Sequence, residues 1–406
     1  MRFLFASHGL GSLLALTLSL TVASSTLAAD WPQWRGPNRD GISAENDWKP
    51  QSAKVAWKVN VGLGFACMSV ADGRLFTIGH INGNEVVFAL DANTGKELWK
   101  FSYPCAKIAN LYEGGPNSTP TVDGDRVYVV GKEGQLFCLD AAKGTKIWEA
   151  SLRKELGGKT PEWGFSSSPL IHGDNLIVQG QSTAAFNKKT GKLAWKSDDF
   201  KPAYGSAVVF EHGGKPMIAD LNSKALIVVD ATTGRLVAST PWTTQYDTSA
   251  ATPIVVGNQI FISTGYGKGA GLYEFTGSSL NVVYTSTIMA NHMNSCVLRE
   301  GHLYGVHGNS HSRGDANFAC VEFATGKRKW SHKGLGVGSV TLAGDKLIIL
   351  SDRGDLVIAA ASPESYKELH RIDGVVAGRC WTPPIIANGK IYLRNTPGDL
   401  VCVEVK

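Results

Sequence analysis

Glu113, Asn117, Trp163, Tyr204, Asp247, His292, Asn294, Arg379 and Trp381 share a place in the chain: each lies in a loop just ahead of a strand-like run. Flat aromatic faces with amide, carboxylate, imidazole and guanidinium groups around them suit a small polar ligand, a sugar or an extended peptide. Tyr112, Glu162, Tyr246, Asn291, Met293 and Cys380 extend the same loops. The competing reading is that Trp163 and Trp381 are packing plugs and that the polar groups satisfy turns, since most buried polar groups bond to nearby backbone.

Catalytic chemistry finds less support. Nothing resembles a phosphate-binding glycine loop, a nucleophile elbow or a carboxylate pair at fixed spacing, so no catalytic residue is assigned. His307 and His311 have the spacing of a helical metal pair, but Gly308, Asn309 and Ser310 between them form a loop, so no metal site is assigned either. The Arg-Gly-Asp tripeptides at 313–315 and 353–355 occupy hairpins where other units carry Lys132 to Gly134, and turn chemistry accounts for them.

The elements that would position these loops are repeated. Asp91, Gly95 and Trp99 recur as Asp140, Gly144 and Trp148, as Asn187, Gly191 and Trp195, as Asp230 and Gly234 ending at Ala238, and as Glu322, Gly326 and Trp330. A strand-like run precedes each copy and an alternating run ends each one. The Asp or Asn accepts backbone N–H groups across a tight turn, and the Gly supplies a left-handed residue, so the motif is a β-hairpin corner. Two more strands joined at a Gly turn precede it, as at Ser118 to Gly124. One unit therefore holds four antiparallel strands.

Trp57, Trp99, Trp148 and Trp195 stand 42, 49 and 47 residues apart, the spacing of propeller blades. Degenerate units run through Glu274 to Tyr284 and from Ser339 to His370. The last unit, from Trp381, supplies only three strands, and Lys54 to Val59 has the outer-strand pattern with no corner before it. Pairing the two closes an all-β, eight-bladed ring over 54–406 and removes an exposed sheet edge. Residues 30–53 form an N-terminal extension.

With 406 residues, 43% hydrophobic, 18% charged and a scattered net charge of +5, the chain reads as one soluble domain and a monomer, without a nucleic-acid footprint. Arg2 precedes an apolar stretch from Leu10 to Val22, and Ala28 and Ala29 suit signal peptidase, so residues 1–29 read as a secretory signal peptide. No Cys precedes Cys67, so no lipid anchor is expected, nor a membrane span. The expected location is periplasmic or extracellular. Cys138, Cys320 and Cys402 occupy a small apolar packing position before the corner, and pairing among Cys67, Cys105, Cys296 and Cys380 stays open.

The corner motif resembles the tryptophan-docking repeat of pyrroloquinoline quinone (PQQ) propellers, in which the Trp packs across to the neighbouring blade, and the likeness covers 55–406. The stretch from Asp30 to Ser43, beginning Asp-Trp-Pro-Gln-Trp-Arg-Gly, is similar to the N-terminal signature of exported PQQ-like repeat proteins of planctomycete-type bacteria. More distantly, the fold resembles quinoprotein alcohol dehydrogenases, which hold PQQ and Ca²⁺, and the outer-membrane assembly propeller, a lipoprotein scaffold without cofactor. The dehydrogenases are longer and use vicinal cysteines beside the quinone, which this chain lacks. The expectation is a non-catalytic binding or scaffold propeller, without cofactor, whose protein partner or small polar or carbohydrate ligand sits at the mouth of the channel, where loops entering the innermost strands converge. A PQQ-dependent alcohol or sugar oxidoreductase with Ca²⁺ and a carbohydrate-active enzyme are the alternatives.

Overall fold

Eight antiparallel sheets, each of four blade strands, follow one another along the chain. The computed structural model describes Met1, residues 30–310 and residues 313–406. The signal-peptide reading of 1–29 and His311 lie outside the described residues. Blade 1 comprises Ser69–Ala71, Arg74–Ile81, Asn84–Asp91 and Glu97–Pro104, from the channel outward. Blades 2 to 7 repeat that order, opening at Thr121, Leu170, Val208, Ile254, Val297 and Ser339. Blade 8 takes Ile385–Ala387, Lys390–Arg394 and Asp399–Glu404 from the C-terminus and Lys54–Asn60 from the N-terminus. The ring closure expected from the lone Trp57 strand is the one formed.

The core is a series of layers between blades. Phe76, Ile78 and Val87 of blade 1 pack with Val127, Val129 and Phe137 of blade 2. Met217, Ala219 and Val228 of blade 4 likewise meet Ile260, Ile262 and Tyr273 of blade 5. Middle strands are covered on both faces and read as unbroken apolar runs, whereas outer strands alternate, so Trp99 and Tyr103 face inward from Glu97–Pro104. Each large side chain fully buried in this way contributes about 1.5–3 kcal/mol.

The repeat motif joins those layers. Asp91 Oδ1 accepts from the Asn93 and Thr94 N–H groups at 2.9 and 2.8 Å, and Gly95 N–H returns to Asp91 O at 2.8 Å. The Thr94 hydroxyl and N–H hold the Asp91 carboxyl below its usual range. Gly95, Gly144, Gly191, Gly234 and Gly326 all have φ between 70° and 75°. Trp57 lies over Gly95, Trp99 over Gly144, Trp148 over Gly191 and Trp195 over Gly234, each ring on the corner of the next blade. The indole N–H of Trp57, Trp99 and Trp148 donates to a corner carbonyl: Ala92, Ala141 and Lys188 respectively.

The departures have local causes. Tyr284 replaces a Trp and serves the same way, lying on Gly326 and donating to Phe323 O at 2.9 Å. Trp330 meets a corner without glycine, donates to Ser362 O and packs edge-on against Tyr366. His370 needs no docking glycine, because the next corner is where the chain ends meet. All seven cysteines are buried and unpaired. Cys67 Sγ turns to Pro383 O and Cys380 Sγ to Gly378 O.

Candidate functional site

The innermost strand of every blade has a free edge, whose polar backbone groups face the channel and need partners. The N-terminal extension supplies them. Trp31 exchanges two 2.8 Å backbone hydrogen bonds with Val70 of blade 1, and Pro32 O accepts from Val122 of blade 2. Arg39 donates to Ser168 O and Pro169 O of blade 3 and to Ala207 O of blade 4. Trp34 Nε1 donates to Thr252 Oγ1 of blade 5 at 2.9 Å, and Arg35 Nη2 to Cys296 O of blade 6. Ile42 and Ser43 pair in parallel with Leu342 and Ala343 of blade 7, and Glu45 accepts from Gly389 of blade 8. One short segment thus touches all eight blades and fills the channel from one end.

That plug is built around two buried guanidinium groups. Arg35 and Arg39 both hold positive φ, 61° and 57°, a conformation that costs a non-glycine residue energy and persists only where the surroundings fix it. Burial lowers both, Arg39 to about 9, and a guanidinium keeps its proton in proteins. A third buried arginine, Arg394, staples the closure by donating to Gly62 O, Ala66 O, Thr77 Oγ1 and Ile78 O of the chain leading into and through blade 1.

Above the plug lies a cavity of about 150 Å³ at the other mouth, with Trp34 in its wall. Of the nine candidate ligand residues, Asn117, Trp163, Tyr204, His292, Asn294 and Trp381 line it. Asn117 Nδ2 donates to Trp163 O and Ser166 Oγ, and Trp163 Nε1 to Asn110 O, so this wall is braced by its own loops. Trp163 meets Tyr204 edge-on at 5.4 Å. His292 is edge-on to Tyr266 and accepts from Ser310 N–H. Trp381 stacks on Phe65 at 5.6 Å and takes Tyr112 edge-on at 4.8 Å.

The other three stand outside the lining. Arg379 pairs with Glu113 at 2.5 Å, and its guanidinium lies 4.7 Å over the Trp381 ring. The pair therefore braces Trp381 from behind. Asp247 is tied to Lys201 and Lys224 on the rim, and its neighbour Thr248 lines the cavity instead.

Sequence reasoning missed Trp34 and Lys132. Trp34 belongs to a segment without periodicity, so no strand or blade assignment could place it. Lys132 lies in the hairpin between Arg126–Val130 and Gln135–Asp140, which reads as turn chemistry, yet only 3% of it is exposed. Its alkyl chain passes over Gly164, where a Cβ would come within 2.6 Å, and its ammonium donates to Gly115 O at 2.7 Å. Its backbone N–H reaches the buried Glu85 carboxyl, which also accepts from Tyr103. Burial lowers the Lys132 ammonium to about 8 and raises the Glu85 carboxyl. A glycine facing a hairpin lysine was the one available signal.

Asn294 Oδ1 and Trp381 Nε1, both on lining residues, have no hydrogen-bond partner among the described residues. Both residues are more than nine-tenths buried. A lone buried acceptor or donor costs about 1–3 kcal/mol, which a ligand would recover. Among the described residues the lining holds hydroxyls, amides, indoles, the His292 imidazole and the Lys132 ammonium but no carboxylate. Calcium takes six to eight oxygens, commonly with carboxylates among them. Among the described residues no three His, Cys, Asp or Glu side chains come together to hold a metal. The residues at this mouth do not fit a calcium-bound quinone.

A family model described as outer membrane protein assembly factor BamB matches residues 83–332. No curated protein matches the chain in sequence. Among solved structures, BamB from Moraxella catarrhalis superposes with a TM-score of 0.64 at 14% identity, over 87% of this chain and 99% of that one. Quinohemoprotein alcohol dehydrogenase from Comamonas testosteroni gives 0.68 at 13% identity, over 93% of this chain and 80% of that one. The computationally designed Ika8 protein gives 0.58 at 9%, over 85% and 98%. At such identities the likeness is one of fold.

Proposed function

The chain belongs to the family described as outer membrane protein assembly factor BamB, and on that premise we propose that it is an exported, non-catalytic binding or scaffold propeller holding its ligand or partner at the aromatic mouth of the channel. One observation carries the reading: six side chains from five loops converge on one cavity, and Asn294 and Trp381 among them each keep a buried polar atom without a partner among the described residues. The plug supports it from below, because a channel closed at one end presents a site rather than a passage. Leu111 and Tyr246, exposed on loops of the same face, add apolar surface for a partner. Export rests on the signal-peptide pattern of residues 1–29.

The quinoprotein alternative is supported by shared fold, but the lining lacks the carboxylates a calcium site draws on. Most glycoside hydrolases use a facing pair of carboxylic acids, and none lines this cavity among the described residues. The test is tryptophan fluorescence of the purified protein against monosaccharides, aromatic acids and short peptides, beside a dye-linked alcohol oxidation assay with added PQQ and Ca²⁺. Saturable quenching that Trp381→Ala and Asn294→Ala both abolish, with no dye reduction, is expected. Dye reduction, or no binding across the panel, would sink the reading.

A further inference from the structure

We propose that the cavity takes a small planar organic monoanion, an aromatic carboxylate, with its ring between the Trp163 and Trp381 walls and its carboxylate on the Lys132 ammonium. The inference rests on the mouth being a ligand site and adds the charge and shape of the ligand.

The charge follows from what surrounds the cavity. Lys132 is buried in the lining and gives one N–H to Gly115 O, and its Nζ makes no other hydrogen bond among the described residues. An ammonium has three N–H donors. Two are left for an acceptor in the cavity. Beneath, Arg39 donates to the carbonyl of Ser168, itself a lining residue, and Arg35 lies beside it in the plug. The carboxyls acting on these three cations, Glu85 and Asp40, both stand outside the cavity lining. The enclosed space is therefore electropositive, and among the described residues no carboxylate in the lining offsets it. A cationic ligand would face uncompensated charge, whereas an anion would complete the set.

The shape follows from the walls. Trp163 with Tyr204 stands on one side, and Trp381 with Phe65 on another, leaving flat apolar faces about a space that fits one ring. The unpartnered Trp381 Nε1 offers a further donor to a carboxylate or ring substituent.

The test titrates the purified protein with benzoate, benzamide and benzylamine, reading tryptophan fluorescence. Benzoate should bind at least about tenfold more tightly than benzamide, the worth of one charge-assisted hydrogen bond, and benzylamine more weakly still. Lys132→Gln should abolish the preference, bringing the benzoate-to-benzamide affinity ratio to about one, and Lys132→Arg should restore it. Should Lys132→Gln fail to fold, the benzoate-to-benzamide ratio of the unaltered protein and its loss in high salt decide the matter. Equal binding of benzoate and benzamide, or binding of a monosaccharide alone, overturns the anion inference and leaves the mouth site standing. No binding of any probe, sugars and peptides included, overturns both.

Discussion

The Trp99 ring lies on Gly144 of the following blade so closely that a Cβ there would come within 2.5 Å of it. Gly144 is thus fixed twice, by a φ of 70° and by the ring above it. Gly124, in the hairpin of the same blade, has a φ of 58° and open space around it. Gly144→Ala should cost about 2–4 kcal/mol, combining strain with displacement of the indole, whereas Gly124→Ala should cost only about 1 kcal/mol. Urea unfolding of the two variants, followed by tryptophan emission, checks the difference; equal costs would mean that ring contact adds nothing.

Arg39 carries the second prediction. Its three hydrogen bonds to carbonyls of blades 3 and 4 hold the plug in the channel. Arg39→Met leaves those carbonyls unpaired and should cost about 3 kcal/mol. Arg39→Lys should recover little, because a single ammonium cannot span acceptors on two blades. Limited proteolysis should cut the variants first within the plug. Proteolysis unchanged from the parent would show that the segment's other contacts hold it without Arg39.

The fold was legible because each blade writes its own corner: Asp91 and Gly95 specify a turn locally, and Trp57, left without a corner, disclosed the closure. The plug was not legible for the converse reason. Between them Trp31, Pro32, Trp34, Arg35, Arg39, Ile42, Ser43 and Glu45 reach all eight blades, each in its own way, so nothing in their spacing repeats. Loop residues such as Asn117, Trp163, Asn294 and Trp381 could be picked out by type and position before strands. Position alone could not separate Asp247, spent on two lysines, from Thr248 beside it, nor show that a hairpin lysine at 132 turns inward.

The thiols supply a third prediction. All seven cysteines are buried, and burial pushes the Cys67, Cys105, Cys296, Cys380 and Cys402 thiols up to about 12. A thiol reagent at pH 8 should label none of the seven in the folded protein and all of them in guanidinium without reductant. Reductant should leave the thermal midpoint unchanged. Fewer labelled thiols after unfolding would reveal a disulfide among them.

Asp220 gives the fourth. It is fully buried between blades 3 and 4, accepting from Thr183 Oγ1 at 2.6 Å and from Gln179 Nε2. Burial raises its carboxyl to about 6, above the ordinary value of 3.8. The folded state therefore holds this proton more tightly than the unfolded chain does. The favourable contribution is fully present below about pH 4 and is lost as pH rises through 6, beyond which the buried carboxylate is a constant cost. Asp220→Asn removes the titration and keeps the Thr183 bond. Its amide can donate to Gln179 Oε1, which has no partner among the described residues. The variant should be more stable than the parent by about 1–3 kcal/mol at pH 8 and nearly equal to it at pH 4.5. Denaturant midpoints at the two pH values test this, and a variant less stable at pH 8 would mean that the carboxylate is needed in its charged form.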